Sequence, residues 1–303
     1  MEPKWCSRTR SVSHRSPSRR KHGDGPHNQN LPGLRRKNAD GFGRVRHLRR
    51  DQLIWFVSAA WGRYDVTRLA LAQRAHLIGE LVGRGQEANC VVVADDENLD
   101  IAHEHGFQTV ESDNTWLGRK FNDGIQYACE NGAEYVVLIG SDDWMHVDLF
   151  DRLPLAQPKP PELTEGFYVW RPTAEIITGR EITIVDVANG NARVLRSHGR
   201  YGVIPWVIHR KALEPSGGRP VANLISKGID GSLIAGLKVR PNWVFVDPHP
   251  YARVDWKTDV NITPYAGLQH LGVDEEFEPW AALEEHYPEH LVDMARDLAL
   301  VAA

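Results

Sequence analysis

The chain has 303 residues, 42% hydrophobic and 25% charged, with ten tryptophans and a formal net charge of −4, a composition that excludes wholesale disorder and is ample for a large core. No apolar run reaches the roughly 18 residues that span a bilayer, and the N-terminus lacks the apolar core of a secretory leader, so a cytoplasmic protein without a membrane span is expected. Cys6, Cys90 and Cys129 are odd in number and widely spaced; they fit neither a disulfide framework nor a zinc knuckle and read as reduced thiols.

Residues 1–50 are strongly basic, with stretches such as SVSHRSPSRRKHGDG and GRVRHLRRD that hold few acids and almost no large apolar side chains. Such a segment does not offset the entropy of ordering, and a disordered basic arm is expected. It reads either as a tether to nucleic acid or another acidic surface, or as a solvated tail. Without it the body is acidic, which argues against a nucleic-acid groove in the folded part.

From Leu53 the texture changes. LIWFVSAAW predicts a buried strand, and VTRLALAQRAHLIGELVGRG predicts a helix with Leu71, Ala75, Ile78 and Val82 at helical spacing and glycines at its end. ANCVVVADD reads as a second strand, NLDIAHEHG as a short helix and FQTVES as a third strand. WLGRKFNDGIQYACENG puts Leu117, Phe121, Ile125 and Ala128 on one helical face, and YVVLIGSDDWM supplies a fourth strand. This alternation predicts an α/β fold with a mostly parallel sheet flanked by helices, spanning residues 51–153. After the proline-rich QPKPPELTEG the pattern is mixed over residues 154–270. FYVWRP and REITIVDVANGNARVLRS read as strands, the latter turning at Asn189-Gly190, and ANLISKGIDGSLIAGL carries a helix. Residues 271–303 form a helical tail interrupted at Pro288.

Ligands of parallel sheets sit outside the carboxyl ends of the strands. Asp95 and Asp96 end the second strand, and Asp142 and Asp143 the fourth, so both pairs are expected in one crevice. No glycine-rich dinucleotide or P-loop motif follows a strand. Adjacent carboxylates repel; a hard divalent cation between them and an anionic ligand gives that repulsion a use. The plainer alternative makes Asp142 a turn cap and leaves Asp143 in solvent.

The segments VSAAWGRYDVTRLALAQ, VVVADDENLDIA, LGRKFNDGIQYA and YVVLIGSDDWM, in this order and spacing, resemble the nucleotide-binding half of GT-A glycosyltransferases, especially glycosyltransferase family 2 with its phage and bacterial relatives. The likeness covers Leu53 to Leu153 and becomes patchy towards Leu268. It implies a Rossmann-like GT-A fold with a C-terminal acceptor region, and a metal-assisted, inverting transfer from a nucleoside-diphosphate sugar to an acceptor hydroxyl. Mn²⁺ or Mg²⁺ is the implied cofactor, and the acceptor (glycan, protein or modified nucleic acid) stays open. For a phage-encoded member the location implied is the host cytoplasm.

Residue by residue, the resemblance puts the nucleoside on Asp95 or Asp96. Its Asp-x-Asp motif falls on Gly140, Ser141 and Asp142, so the first acid is missing. Ser141 then faces the nucleotide sugar, Asp142 is the leading metal ligand, Asp143 assists and His249 completes the metal shell. Asp230 in SKGIDGSL takes the place of the general base, with a helix N-cap as its alternative. Trp61 and Arg63 follow the first strand, where nucleotide contacts are implied, although Trp61 also reads as a buried residue at the crevice edge. Lys120 and Asn122 are placed to reach a phosphate or ribose, or else lie on a solvated face. Two other readings remain: a catalytically silent nucleotide- or sugar-binding module of the same fold, and a sugar nucleotidyltransferase.

Overall fold

The computed structural model describes residues 53–151, 175–197, 203–258 and 276–302. The basic arm, the proline-rich linker and the strand expected at FYVWRP lie outside the described residues.

Strand β1 (Ile54–Ala59) is buried along its whole length. Gly62 and Arg63, both with positive φ (54° and 47°), turn the chain into helix α1 (Tyr64–Gly83). Next come β2 (Ala88–Ala94), α2 (Asp96–Glu104), β3 (Gln108–Glu111), α3 (Leu117–Glu130) and β4 (Tyr135–Gly140), the alternation that the sequence predicts. A three-residue strand the sequence did not reveal, β5 (Asp143–Met145), follows directly. The second half contains β6 (Glu175–Gly179), β7 (Glu181–Asp186), β8 (Asn191–Arg196), β9 (Val203–His209), α4 (Arg210–Leu213), α5 (Ile229–Gly236), β10 (Asn242–Phe245) and β11 (Arg253–Lys257). The chain closes with α6 (Trp280–His286) and α7 (Glu289–Ala302), broken at Tyr287-Pro288 because proline cannot continue the helix.

The main sheet has seven strands in the order β10-β6-β9-β4-β1-β2-β3. Strands β4, β1, β2 and β3 are parallel, whereas β9 runs antiparallel to both β4 and β6. The unbroken apolar run of β1 follows from cover on both faces. Phe56 shares one core with Leu71 and Leu77 of α1 and Ile101 of α2. Trp55 and Val57 share the other with Phe121 and Ile125 of α3 and Leu233 of α5. Each such large apolar side chain, once buried, contributes about 1.5–3 kcal/mol. Helix α3 approaches the sheet closely because Gly124 faces it: a Cβ there would lie 2.5 Å from a Val57 methyl and 2.9 Å from one of Val93.

A second sheet has the order β5-β11-β7-β8. Strands β7 and β8 form the hairpin expected at Asn189-Gly190, with Asp186 opposite Asn191 and Gly190 at φ 67°. Strand β5 pairs antiparallel with β11, which sets Asp143 opposite Asp255. The segments 51–153 and 154–270 therefore share both sheets, since β6, β9 and β10 complete the first and β5 joins the second. Helix α7 lays Leu291, Val292 and Ala295 against Val66, Leu69 and Ala70 of α1, over Trp144 and Trp256. Among the described residues no helix is long and apolar enough to cross a membrane.

The order β3-β2-β1-β4 creates a switch point. The chain leaves β1 towards β2 and β3, then returns through α3 to β4 on the other side of β1. The loops at the carboxyl ends of β1 and β4 face each other at this point, where open α/β sheets place their ligand crevice.

Candidate active site

Both loops at that crevice carry charge, and they meet. Arg63, after β1, donates from Nη1 to Asp142 Oδ2 at 2.6 Å and from Nη2 to Ser141 Oγ at 3.1 Å. Asp142 and Asp143 are buried, so Asp143 does not face solvent as the plainer reading had it. The Asp143 carboxylate folds back to accept the Gly140 N–H at 2.8 Å. That fold needs a glycine, because a Cβ at position 140 would lie 2.6 Å from both Asp142 Oδ1 and Asp143 Oδ2. An acid at position 140 would meet those two carboxylates in the same space.

A third carboxylate arrives from β11. Carboxylate oxygens of Asp142, Asp143 and Asp255 lie within 4.8 Å of one another. The antiparallel register brings Asp255 there, and Trp256 N–H donates to the Asp142 carbonyl at 2.9 Å, fixing the strand against the turn. Asp255 pairs with Lys257 at 2.6 Å, while its Oδ1 is buried without a hydrogen-bond partner. Neither Asp255 nor Lys257 was anticipated from the sequence. The available signal was the alternation Asp255-Trp256-Lys257, which points both polar side chains to one face of a strand.

Electrostatics follow from this crowding. Burial, then Asp255 and Asp142, raise the Asp143 pKa well above the ordinary aspartate range. Burial also raises Asp255, with Lys257 opposing and Asp142 adding to the rise. Burial works against the Lys257 ammonium, but Asp255, Asp142 and Asp143 outweigh it and hold the group charged. Beneath the turn, wholly buried Arg74 of α1 donates to the Asp143 carbonyl at 3.0 Å. Burial lowers its pKa, opposed by Cys90, Asp143 and Asp142. An arginine on the apolar face of α1, between Leu71 and Leu77, was the readable trace of this buried charge.

The donor set fits a hard divalent cation: three clustered carboxylates, one bearing a buried oxygen with no partner, and a repulsion that positive charge relieves. Two of the carboxylates already face a cation of the protein itself, Arg63 and Lys257.

Other expected residues separate into distinct surroundings. Trp61 is 61% exposed, so it is not the buried crevice-edge residue of its plainer reading. Asp95 stands at the N-terminus of α2 and accepts from Asn114, whose own side-chain oxygen accepts from Lys120. Asp96 opens α2, and its side chain lies outside the described residues. Lys120 is buried and also donates to the Ala60 carbonyl at 2.7 Å, so its ammonium braces the end of β1 rather than lying on a solvated face. Asn122 is likewise buried; its amide is taken up by the Val221 backbone and Asn223, which corrects its expected ligand role. What Asn122 does is hold the segment leading to α5 against α3.

Asp230 lies in the first turn of α5, two residues after the Gly228 cap (φ 67°), so it is not the N-cap. The residue is exposed, yet desolvation of its carboxyl by the surrounding protein raises its pKa, with its own backbone N–H opposing. His249 joins His146 and His286, not the carboxylates, from its place just before the turn Pro250–Ala252 ahead of β11. The expected His249 contribution to the carboxylate shell is corrected accordingly.

Fold and site together define an α/β protein with a Rossmann-like parallel half and a carboxylate-lined crevice at its switch point. A scan against protein-family models finds no match, and a search of curated proteins finds none. Among solved structures the chain is similar to S. aureus TarS 1-349, at 12% identity and a TM-score of 0.47, over 68% of this chain and 60% of that one. TarS has also been solved in complex with UDP. The catalytic domain of Drosophila beta1,4galactosyltransferase 7 in complex with xylobiose matches at 10% identity and a TM-score of 0.38, over 66% of this chain and 67% of that one. A glycosyltransferase involved in glycosylation of the major capsid of PBCV-1 matches at 12% identity and a TM-score of 0.35, over 67% and 92% respectively. The chain thus spans about 60% of the length of the TarS structure it matches.

Proposed function

We propose that the protein is a GT-A-type glycosyltransferase that moves a sugar from a nucleoside-diphosphate donor to an acceptor hydroxyl with inversion. One observation carries the reading: Asp142, Asp143 and Asp255 converge at the switch-point crevice, beside Arg63. Asp142, Asp143 and Asp255 would hold Mg²⁺ or Mn²⁺, which when bound supplies positive charge to the departing diphosphate. Arg63 offers a guanidinium to the same oxygens, and Ser141 and Asp95 line the donor's approach. Trp61, exposed at the mouth, presents a face on which a base or sugar ring can stack. Asp230 accepts the proton of the acceptor hydroxyl. As it does so, the acceptor oxygen bonds to the anomeric carbon and the bond from that carbon to the diphosphate oxygen breaks, its electron pair leaving with the diphosphate. A single displacement of this kind inverts the carbon.

The test is product mass spectrometry after incubating the full chain and Mn²⁺ with a panel of nucleotide sugars and acceptors. Transfer by the wild type is expected, with Asp142→Ala abolishing it and Asp230→Asn lowering turnover by about 10²–10⁴. Because a base must be deprotonated and the Asp230 pKa is raised, turnover should fall with decreasing pH at a point above the ordinary aspartate range. Undiminished transfer in both variants removes the site assignment. Arg63 and Lys257 already pair with Asp142 and Asp255, and this favours, as a second reading, a silent nucleotide- or sugar-binding module. Tight donor binding that ignores Mn²⁺, with no transfer to any acceptor, is the outcome that selects it.

A further inference from the structure

Three imidazoles from three separate elements converge away from the carboxylates. His146 follows β5 and caps the turn Val147–Phe150, His249 stands just before the turn ahead of β11 without a side-chain hydrogen bond to it, and His286 is the last residue of α6. The rings of His249 and His286 stack at 3.9 Å, and that of His146 meets His249 edge-on at 4.7 Å. One nitrogen from each ring lies within 4.8 Å of the other two. Both nitrogens of His249 are buried without a hydrogen-bond partner, although an imidazole always carries a donor or acceptor on each. Nothing among the described residues accounts for that unmet demand.

His146 Nδ1 lies 3.3 Å from the Asp148 carboxylate and 3.4 Å from the Asp148 backbone N, and ligation through Nε2 would place the ring proton on Nδ1, towards that carboxylate. A carboxylate behind a histidine is the usual outer support of a metal ligand. Tyr251 stacks on His286, and Tyr287 packs edge-on against His146 while donating to the Tyr251 carbonyl at 2.8 Å.

We propose that His146, His249 and His286 form a second metal site, for Zn²⁺ or a similar ion that prefers imidazole, distinct in place and chemistry from the carboxylate crevice. Three nitrogen donors select Zn²⁺ over Mg²⁺ or Mn²⁺. The bound ion ties the end of β5, the turn before β11 and α6 together, and so pins the strand pair that carries Asp143 and Asp255. The inference does not depend on sugar transfer.

Its test is calorimetric titration of the chelator-stripped full chain with Zn²⁺, in excess Mg²⁺ to occupy the carboxylates. One Zn²⁺ per chain is expected, bound at least about tenfold more weakly by His249→Ala and His286→Ala, and about tenfold more weakly by Asp148→Asn. Asp142→Asn should leave this binding unchanged. Addition of Co²⁺ to the wild type should give the visible absorption of a tetrahedral nitrogen-ligated ion, a readout that needs no variant to fold. No Zn²⁺ bound, binding unaltered by His249→Ala, or no such absorption overturns the proposal.

Discussion

Gly140 shows how a single residue sets the chemistry of a site. Its missing side chain leaves room for Asp142 and Asp143 to fold back towards the end of β4, and its N–H holds one of them. Gly140→Ala places a methyl 2.6 Å from an oxygen of each carboxylate, so the turn must open. The expected result is a loss of divalent-cation affinity of about tenfold, or 1.4 kcal/mol, read by calorimetry with Mn²⁺. Unchanged affinity would show that the observed turn is not the binding arrangement. At this scale the positions of Asp142 and Asp143 were legible, since an apolar run that stops at two acids marks the end of a buried strand. Lys120 and Asn122 were not, because a lysine and an asparagine at the start of an amphipathic helix look solvated until the segment that covers them is in place.

Elements were legible where their periodicity was long. Helices α1 and α3 and strands β1, β2 and β4 follow from apolar spacing and glycine stops. The three-residue β5 carries too short a pattern, and its partner β11 comes from far along the chain, so pairing rather than local preference makes it a strand. Close approach between elements is equally a pairwise property. At Gly124, α3 touches β1 and β2, and Gly124→Val would force side chains against Val57 and Val93. A loss of about 1–3 kcal/mol in denaturant unfolding is expected, despite the better helix propensity of valine. A neutral or stabilising result would contradict the tight contact.

Over the whole molecule, three acids, two cations and a buried arginine meet where two sheets and the switch point come together. Burial and the carboxylates of Asp255 and Asp142 oppose the charge of Asp143 and shift it towards its neutral form. Asparagine imitates that form while still accepting the Gly140 N–H, so Asp143→Asn should melt no lower than wild type in cation-free buffer. It should also lose most of the rise in Tm that Mn²⁺ gives the wild type. An equal rise in both proteins would remove Asp143 from the cation site. The sequence by itself determined the alternating α/β half and the acids at its strand ends, because burial on both sheet faces and helical periodicity are local patterns written over consecutive residues. Only the tertiary structure decided that Asp255 completes the carboxylate group, that Arg63 and Lys257 face it, and that His249 turns to two other histidines. Those meetings depend on strand register and loop path between distant segments, and no local spacing encodes them.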